Sequence, residues 1–378
     1  MVKIQDKTAC CGCASCVQLC PKQCISFNED NEGFRYPSVD FGSCIKCGLC
    51  EKVCPIICHE EPRLPLTVYA AKNNDRFVRQ QSSSGGVFTL IANEIVNAGG
   101  VVFGASFDKD WEVEHRYAEQ LCDLAAFRGS KYLQSRIGDT YKKAEEFLKE
   151  GRQVLFSGTP CQVAGLKSFL RKEYDSLLTV DIICHGVPSP LVWRRYLEET
   201  AVDQKITEVN FRSKRESWKR YSVVIKSTDR VVLNQPYYEN AYMKGFLSDI
   251  YLRPSCYACS FKKGSSGSDI TLGDFWGIEA SLPQFDDDKG VSAILVNTSR
   301  GGSLIESLGI DRREVSYETV LKGNPSLEEN SKVDLKLRSM FWQKPLSVRS
   351  ILQVVDKMRP GYVRRCIAKA KIFIRKIL

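Results

Sequence analysis

The sequence predicts an α+β protein, a small cysteine-rich domain followed by a larger α/β region whose partly parallel sheet carries an antiparallel addition. Three observations predict it. One cysteine spacing occurs twice near the N-terminus. Between about residues 67 and 200, short apolar runs alternate with stretches of helical apolar spacing, the β-α-β-α order that builds a parallel sheet. Beyond them, two β-rich runs flank a polar turn, the mark of an antiparallel pair.

Cys10, Cys13, Cys16 and Cys20 run as C-x2-C-x2-C-x3-C and are followed by Pro21; Cys44, Cys47, Cys50 and Cys54 repeat the spacing before Pro55. This is the bacterial ferredoxin run for two [4Fe-4S] clusters, in which the fourth cysteine of each run ligates the other cluster. The expected ligand sets are Cys10, Cys13, Cys16 and Cys54 for one cluster and Cys44, Cys47, Cys50 and Cys20 for the other. A structural zinc site usually pairs C-x2-C with a distant second pair, which two complete runs with both prolines fit poorly. The chain therefore carries electrons. Residues 1–62 are expected to form a ferredoxin-like domain stapled by its clusters, with short strands at Ile25–Phe27 and Gly33–Tyr36. Cys11, Cys24 and Cys58 are expected as small buried hydrophobes beside the clusters. Glu61–Pro65, with two prolines, reads as a linker.

The totals bound the rest. At 378 residues and 43% hydrophobic, the chain has room for two or three domains with a real core. Seventeen cysteines would suggest disulfides in a secreted protein, but eight fall in runs that need reduced thiolates. Met1–Asp6 leads into no apolar core, and no apolar run is long enough to span a bilayer. The expectation is a cytoplasmic protein. Of the net charge of +9, the last twenty residues supply +7 (Arg359, Arg364, Arg365, Lys369, Lys371, Arg375, Lys376) and contain no acid. The remainder is near neutral, so nucleic acid is not an expected partner. In the tail, 345–378, Val363, Ile367, Ala370, Ile374 and Ile377 recur at helical spacing. That suits either peripheral contact with the inner face of a membrane or a helix docked on the protein itself.

The larger region opens with a strand at Thr67–Ala71. Gln81–Gly86 is a Ser/Gly loop that opens a helix over Val87–Asn97; such a loop can present backbone N–H groups to a phosphate, and serine is also an ordinary cap. Gly99-Gly100 ends that helix, and Val101–Ala105 is a strand. Phe127–Ser135 is a polar stretch in which Lys131 could pair with a phosphate or simply be solvated. A helix follows over Asp139–Glu150. Gln153–Phe156 and Leu177–Cys184 are strands, each leading into a helix (Val163–Arg171 and Leu191–Glu199). Their connecting loops, at Cys161 and at Cys184-His185, fall at the carboxyl ends of the strands, where ligands of such sheets sit. Tyr221–Lys226 and Val231–Leu233 form the antiparallel pair. Cys256 and Cys259 follow, then a strand ending at Gly273, and another at Ser292–Val296.

Gly158-Thr159-Pro160-Cys161-Gln162, Cys184-His185-Gly186, the Cys256/Cys259 pair and Asp269–Gly277 together resemble the family of coenzyme F-420 hydrogenase/dehydrogenase beta subunits; Ser84-Gly85-Gly86 and Ser130–Ser135 are similar to its N-terminal part. The resemblance covers about residues 67–340, divided as 67–150 and 151–340. It implies an iron–sulfur flavoprotein oxidoreductase with FAD, drawing on Ser84, Gly85, Gly86, Lys131, Gln134, Ser135, Gly158, Thr159, Gln162 and Asp274. It also implies a third [4Fe-4S] cluster on Cys161, Cys184, Cys256 and Cys259, for which zinc or independent thiols are the alternatives. His185 is a candidate proton donor or a structural neighbour of the cluster. Ser217 and Ser266 depart from the family pattern, which has glycine and often a basic residue there. The implied activity passes electrons between ferredoxin or another redox protein and a small organic substrate, in surface-polysaccharide or related biosynthesis. The alternative is the electron-transfer beta subunit of a larger hydrogenase/dehydrogenase complex using coenzyme F-420 or another soluble carrier.

Overall fold

The computed structural model describes residues 6–58, 60–343 and Ile351, so the amphipathic tail expected over 345–378, with its membrane contact, lies outside the described residues except for Ile351. Thirteen strands occur among the described residues: β1 (Ile25–Glu29), β2 (Arg35–Val39), β3 (Thr67–Lys72), β4 (Val101–Phe107), β5 (Val113–Ala118), β6 (Val154–Gly158), β7 (Leu177–Ile182), β8 (Ile206–Ser213), β9 (Ser222–Ser227), β10 (Val231–Pro236), β11 (Ile270–Asp274), β12 (Ser292–Val296) and β13 (Asp311–Glu314).

Eight of them form one mixed sheet in the order β13-β3-β12-β11-β7-β6-β4-β5. Its centre, β4, β6, β7 and β11, is parallel; β5 on one side and β12, β3 and β13 on the other run antiparallel. The central strands are buried on both faces and read as unbroken apolar runs, such as Val154-Leu155-Phe156 at 0% exposure. Helix Val87–Asn97 covers one face, with Val87, Ile91 and Ile95 packed on Val102, Leu155 and Val180. Helices Thr140–Lys149 and Pro160–Leu170 cover the other around Phe103 and Phe156. The antiparallel addition, β10-β9-β8, is a separate sheet whose core is aromatic: Trp193, Tyr196, Phe211, Tyr242 and Tyr251.

The N-terminal segment contributes only the hairpin β1-β2 and short helical turns. Its duplication is written in the backbone. Gly12 and Ala14 in the first run, and Lys46 and Gly48 in the second, occupy the same places between cysteines, and all four are left-handed (φ +74°, +66°, +55°, +75°). Successive turns of this kind aim amides into a concavity suited to an anionic group. For Ala14 and Lys46 the conformation costs about 1–2 kcal/mol each.

This small segment has little core of its own, so it docks. Ser15 Oγ donates to the Gly165 carbonyl at 2.8 Å, and Gln18 Oε1 accepts from the Tyr141 amide at 3.1 Å. Gly165 has no side chain because a Cβ there would lie 2.7 Å from the Cβ of Cys13. Cys11 and Cys24 are buried as expected, but Cys58 is exposed. It sits where the chain leaves the second run for the extended, largely exposed segment through Glu61 and Pro62, so nothing packs over it.

Candidate functional site

The site is built from three sets of thiols. At the surface, Cys20, Cys44, Cys47 and Cys50 line one pocket with Pro21, Lys22 and Cys24. Cys47 is exposed and the other three half-buried. These are the four residues expected as the second ligand set.

Further in, Cys10, Cys13, Cys16 and Cys54 crowd together. Burial first, then the charges of Cys13, Cys10, Cys54 and Cys50, push the Cys16 thiol far up from its ordinary value. Cys54 is pushed up by burial and by the same neighbours, Cys13 and Cys10. The pairing of Cys54 with the first run, and the nearness of Cys50, put the two ligand sets side by side with their fourth cysteines exchanged. Arg253 lies over this set, its Nη2 3.6 Å from Cys10 Sγ and its Nε donating to the Cys10 carbonyl at 2.8 Å.

Beyond it, Cys161, Cys184, Cys256 and Cys259, all half-buried, line one cavity together with Cys11, His185, Arg253 and Lys262. Burial, reinforced by Cys256, Cys161 and Cys259 and opposed by Lys262, pushes the Cys184 thiol far up. Burial likewise raises Cys256, to about 12. Buried thiols this close cannot all ionise unless a cation takes up their charge. Backbone amides point at the sulfurs, Val187 N at Cys256 Sγ and Phe261 N at Cys259 Sγ, both 3.4 Å, and Thr159 Oγ1 is 3.2 Å from Cys161 Sγ. Among the described residues no three His, Cys, Asp or Glu side chains converge closely enough for a single ion. Cys161, expected on a loop, occupies the first turn of helix Pro160–Leu170. Cys11 is buried and packed against both Cys13 and Cys161, so it lies between the second and third sets.

The remaining candidates fall into two groups. Around the Ser/Gly loop, Ser84 Oγ donates to the Val291 carbonyl at 2.7 Å, and Gly85 lies so close to β3 that a Cβ would sit 2.4 Å from the Ala71 carbonyl oxygen. Gly86 (φ +82°) caps the following helix. Lys131 donates to the Arg128 and Gly129 carbonyls, and burial brings its pKa down to about 7. Asp274 is held bidentately by Arg212 and accepts from Trp218 Nε1 at 3.0 Å. Arg212 and Lys214 carried no assigned role in the sequence, yet both are buried here, and Arg212 Nε has no partner among the described residues.

Gly158, Thr159, Gln162, Ser135 and Gln134 form the second group. Thr159 and Gln162 make a reciprocal capping box, Gln162 Nε2 donates to Ser135 Oγ at 2.8 Å, and Ser135 Oγ is 2.9 Å from His115 Nδ1. Burial pushes the His115 pKa down to about 4, which keeps the ring neutral. Gln134 binds the Cys11 carbonyl and Arg253. His185 Nε2 is 2.6 Å from Asp249 Oδ1 and lies at the third cysteine set. Ser266 is buried, donating to Asp181 Oδ2 at 2.5 Å. Arg253 and Asp249 belong to no motif, so nothing in the sequence marked them.

Residues 9–58 match the 4Fe-4S dicluster domain, and residues 151–320 match the C terminus of the coenzyme F420 hydrogenase/dehydrogenase beta subunit. The chain thus joins a 4Fe-4S dicluster domain to the C-terminal domain of these beta subunits. It is similar to the coenzyme F420-dependent sulfite reductase of Methanocaldococcus jannaschii, 23% identical over 355 residues that cover 89% of this chain and 50% of that protein. It is also similar to the F subunit of the F(420)H(2) dehydrogenase of Methanosarcina mazei, 24% identical over 197 residues, 49% of this chain and 55% of that one. The chain spans about half the length of these curated relatives. Its N-terminal part is similar to a 7Fe ferredoxin of Hydrogenibacillus schlegelii, 44% identical over 68 residues, 17% of this chain and 80% of the ferredoxin. A chain of the F420-reducing [NiFe] hydrogenase complex from Methanosarcina barkeri is a distant likeness, with a TM-score of 0.46 and 17% identity over 81% of this chain and 94% of that chain. No described helix is long and apolar enough to cross a membrane.

Proposed function

We propose that this chain is the electron-transfer part of an F420-linked oxidoreductase, passing electrons between a redox protein at the surface and a soluble two-electron carrier of the deazaflavin type. The observation that carries the reading is the run of three adjoining thiol sets, beginning at the exposed Cys47, with Cys11 packed between the second and the third. The two F420-linked relatives favour this over a reductase of surface-polysaccharide biosynthesis. On this reading Cys20, Cys44, Cys47 and Cys50 hold the cluster nearest the partner. Cys10, Cys13, Cys16 and Cys54 hold the second, and Cys161, Cys184, Cys256 and Cys259 a third.

FAD, when bound, converts single-electron supply into hydride chemistry. The Ser84–Gly86 loop, Lys131 and Arg212 are the residues that would hold it. The fit rests on the buried Arg212, whose Nε is unpartnered among the described residues. Asp274 serves this site through Arg212, which it neutralises and aims. His185, fixed by Asp249, supplies the proton-handling group beside the third set.

The test is anaerobic incubation of the dithionite-reduced chain, freed of excess reductant, with oxidised F420, followed by loss of the deazaflavin absorbance. Reduction at a rate dependent on chain concentration supports the reading. A fully reduced, iron-replete and flavin-replete chain that leaves F420 oxidised contradicts it.

A further inference from the structure

Arg253 is among the largest fully buried side chains of the described structure, at 1% exposure. Its donors go to the Cys10 carbonyl (2.8 Å), the Arg35 carbonyl (3.0 Å), Gln134 Oε1 (2.9 Å) and Cys10 Sγ (3.6 Å). The Tyr36 ring lies 4.3 Å from the guanidinium. None of these hydrogen-bond partners is a carboxylate. A guanidinium taken out of water without counter-charge is costly, several kcal/mol or more. The partner that can carry charge is the Cys10 sulfur, as one of four thiolates.

We propose that Arg253 is the residue that sets the potential of the cluster on Cys10, Cys13, Cys16 and Cys54, making it the higher-potential cluster of the dicluster domain. This rests on the reading that those four cysteines hold a four-iron cluster. Four thiolates leave such a cluster net negative, and reduction adds one electron and one further negative charge without breaking a bond. A buried cation with an N–H aimed at a ligand sulfur stabilises the reduced state more than the oxidised one, and hydrogen bonds and net charge are the levers that move such potentials. The cations in the pocket lining of the outer set, Lys22 and Lys46, are both exposed and so are screened by water, unlike the buried Arg253. Arg253 also begins the turn Pro254–Ala258, which carries Cys256 and leads to Cys259. One short segment therefore touches both the second and the third thiol sets, and an electron resting at the second cluster is held beside its exit.

The test uses the anaerobically purified full chain and its Arg253→Gln and Arg253→Lys variants, with iron content measured first and a dithionite redox titration followed by EPR. In Arg253→Gln, one of the two dicluster-domain waves is expected to move to lower potential by at least a tenfold change in its one-electron equilibrium, about 59 mV. The other wave stays in place, and iron content is unchanged. Arg253→Lys keeps the charge without the fork and is expected to shift the same wave less. Unmoved waves in iron-replete variants overturn the proposal, as does an equal shift of both waves. Should Arg253→Gln lose its iron, Arg253→Lys decides alone: a selective downward shift supports the proposal and an unchanged wave overturns it. A wild-type chain without dicluster iron would instead refute the cluster reading on which the proposal stands.

Discussion

Two buried charges show how residue chemistry and stability are coupled here. The Arg212 side chain is 2% exposed and Asp274 is its ion-pair partner, at 2.7 Å. Removing one member of such a pair strands the other, typically at about 3–5 kcal/mol. Asp274→Ala is therefore expected to lower the unfolding free energy by about that amount in anaerobic denaturant titration, and to weaken flavin retention because Arg212 loses its aim. Asp181 lies at 3% exposure with Oδ1 unpartnered among the described residues, and burial raises its pKa to about 6. A carboxyl raised in the folded state favours folding at low pH. That contribution is fully present below the unfolded value near 3.8 and is lost as pH rises through about 6. Asp181→Asn is thus expected to raise the melting temperature at pH 8, by a gain that shrinks steadily as pH falls from 6 toward 4. A gain independent of pH would contradict the assignment.

Among the elements, the docking of the first cysteine run on helix Pro160–Leu170 is a tight joint. A methyl at Gly165 would meet Cys13 Cβ at 2.7 Å and Tyr141 Oη at 2.8 Å. Gly165→Ala is expected to cost about 1–3 kcal/mol as overpacking and to lower iron content through the inner cluster, read by iron assay and the loss of one reduction wave. The elements themselves were largely legible in the sequence. Val87–Asn97 and Ser292–Val296 form where their periodicity indicated, and the hairpin of β9 and β10 turns at Ser227–Arg230 as expected. Strands β5 and β13 were not foreseen. β5 reads Val-Glu-His-Arg-Tyr-Ala and β13 Asp-Arg-Arg-Glu; both are sheet edges whose charges are tolerated because one side of the ladder is free.

The same division holds for the site. Cysteine spacing is a local pattern, so the groups in which the cysteines gather were readable. The guanidinium of Arg253 meets Cys10 across 243 residues of chain, a juxtaposition that only the folded sheet creates.

Taken whole, the molecule sets three groups of thiols side by side, from the exposed Cys47 of the small module to the carboxyl ends of strands in the mixed sheet. The small domain brings little core, and the larger one lends it helix Pro160–Leu170, Arg253 and Gln134 as walls. The central claim is that the chain carries the third centre in addition to the dicluster pair. The most direct test is the iron content of the anaerobically purified chain beside its Cys256→Ser/Cys259→Ser variant. About twelve irons per wild-type chain and about eight in the variant is the predicted result, since each cluster holds four. About eight irons in both, with or without one zinc in the wild type, would contradict it.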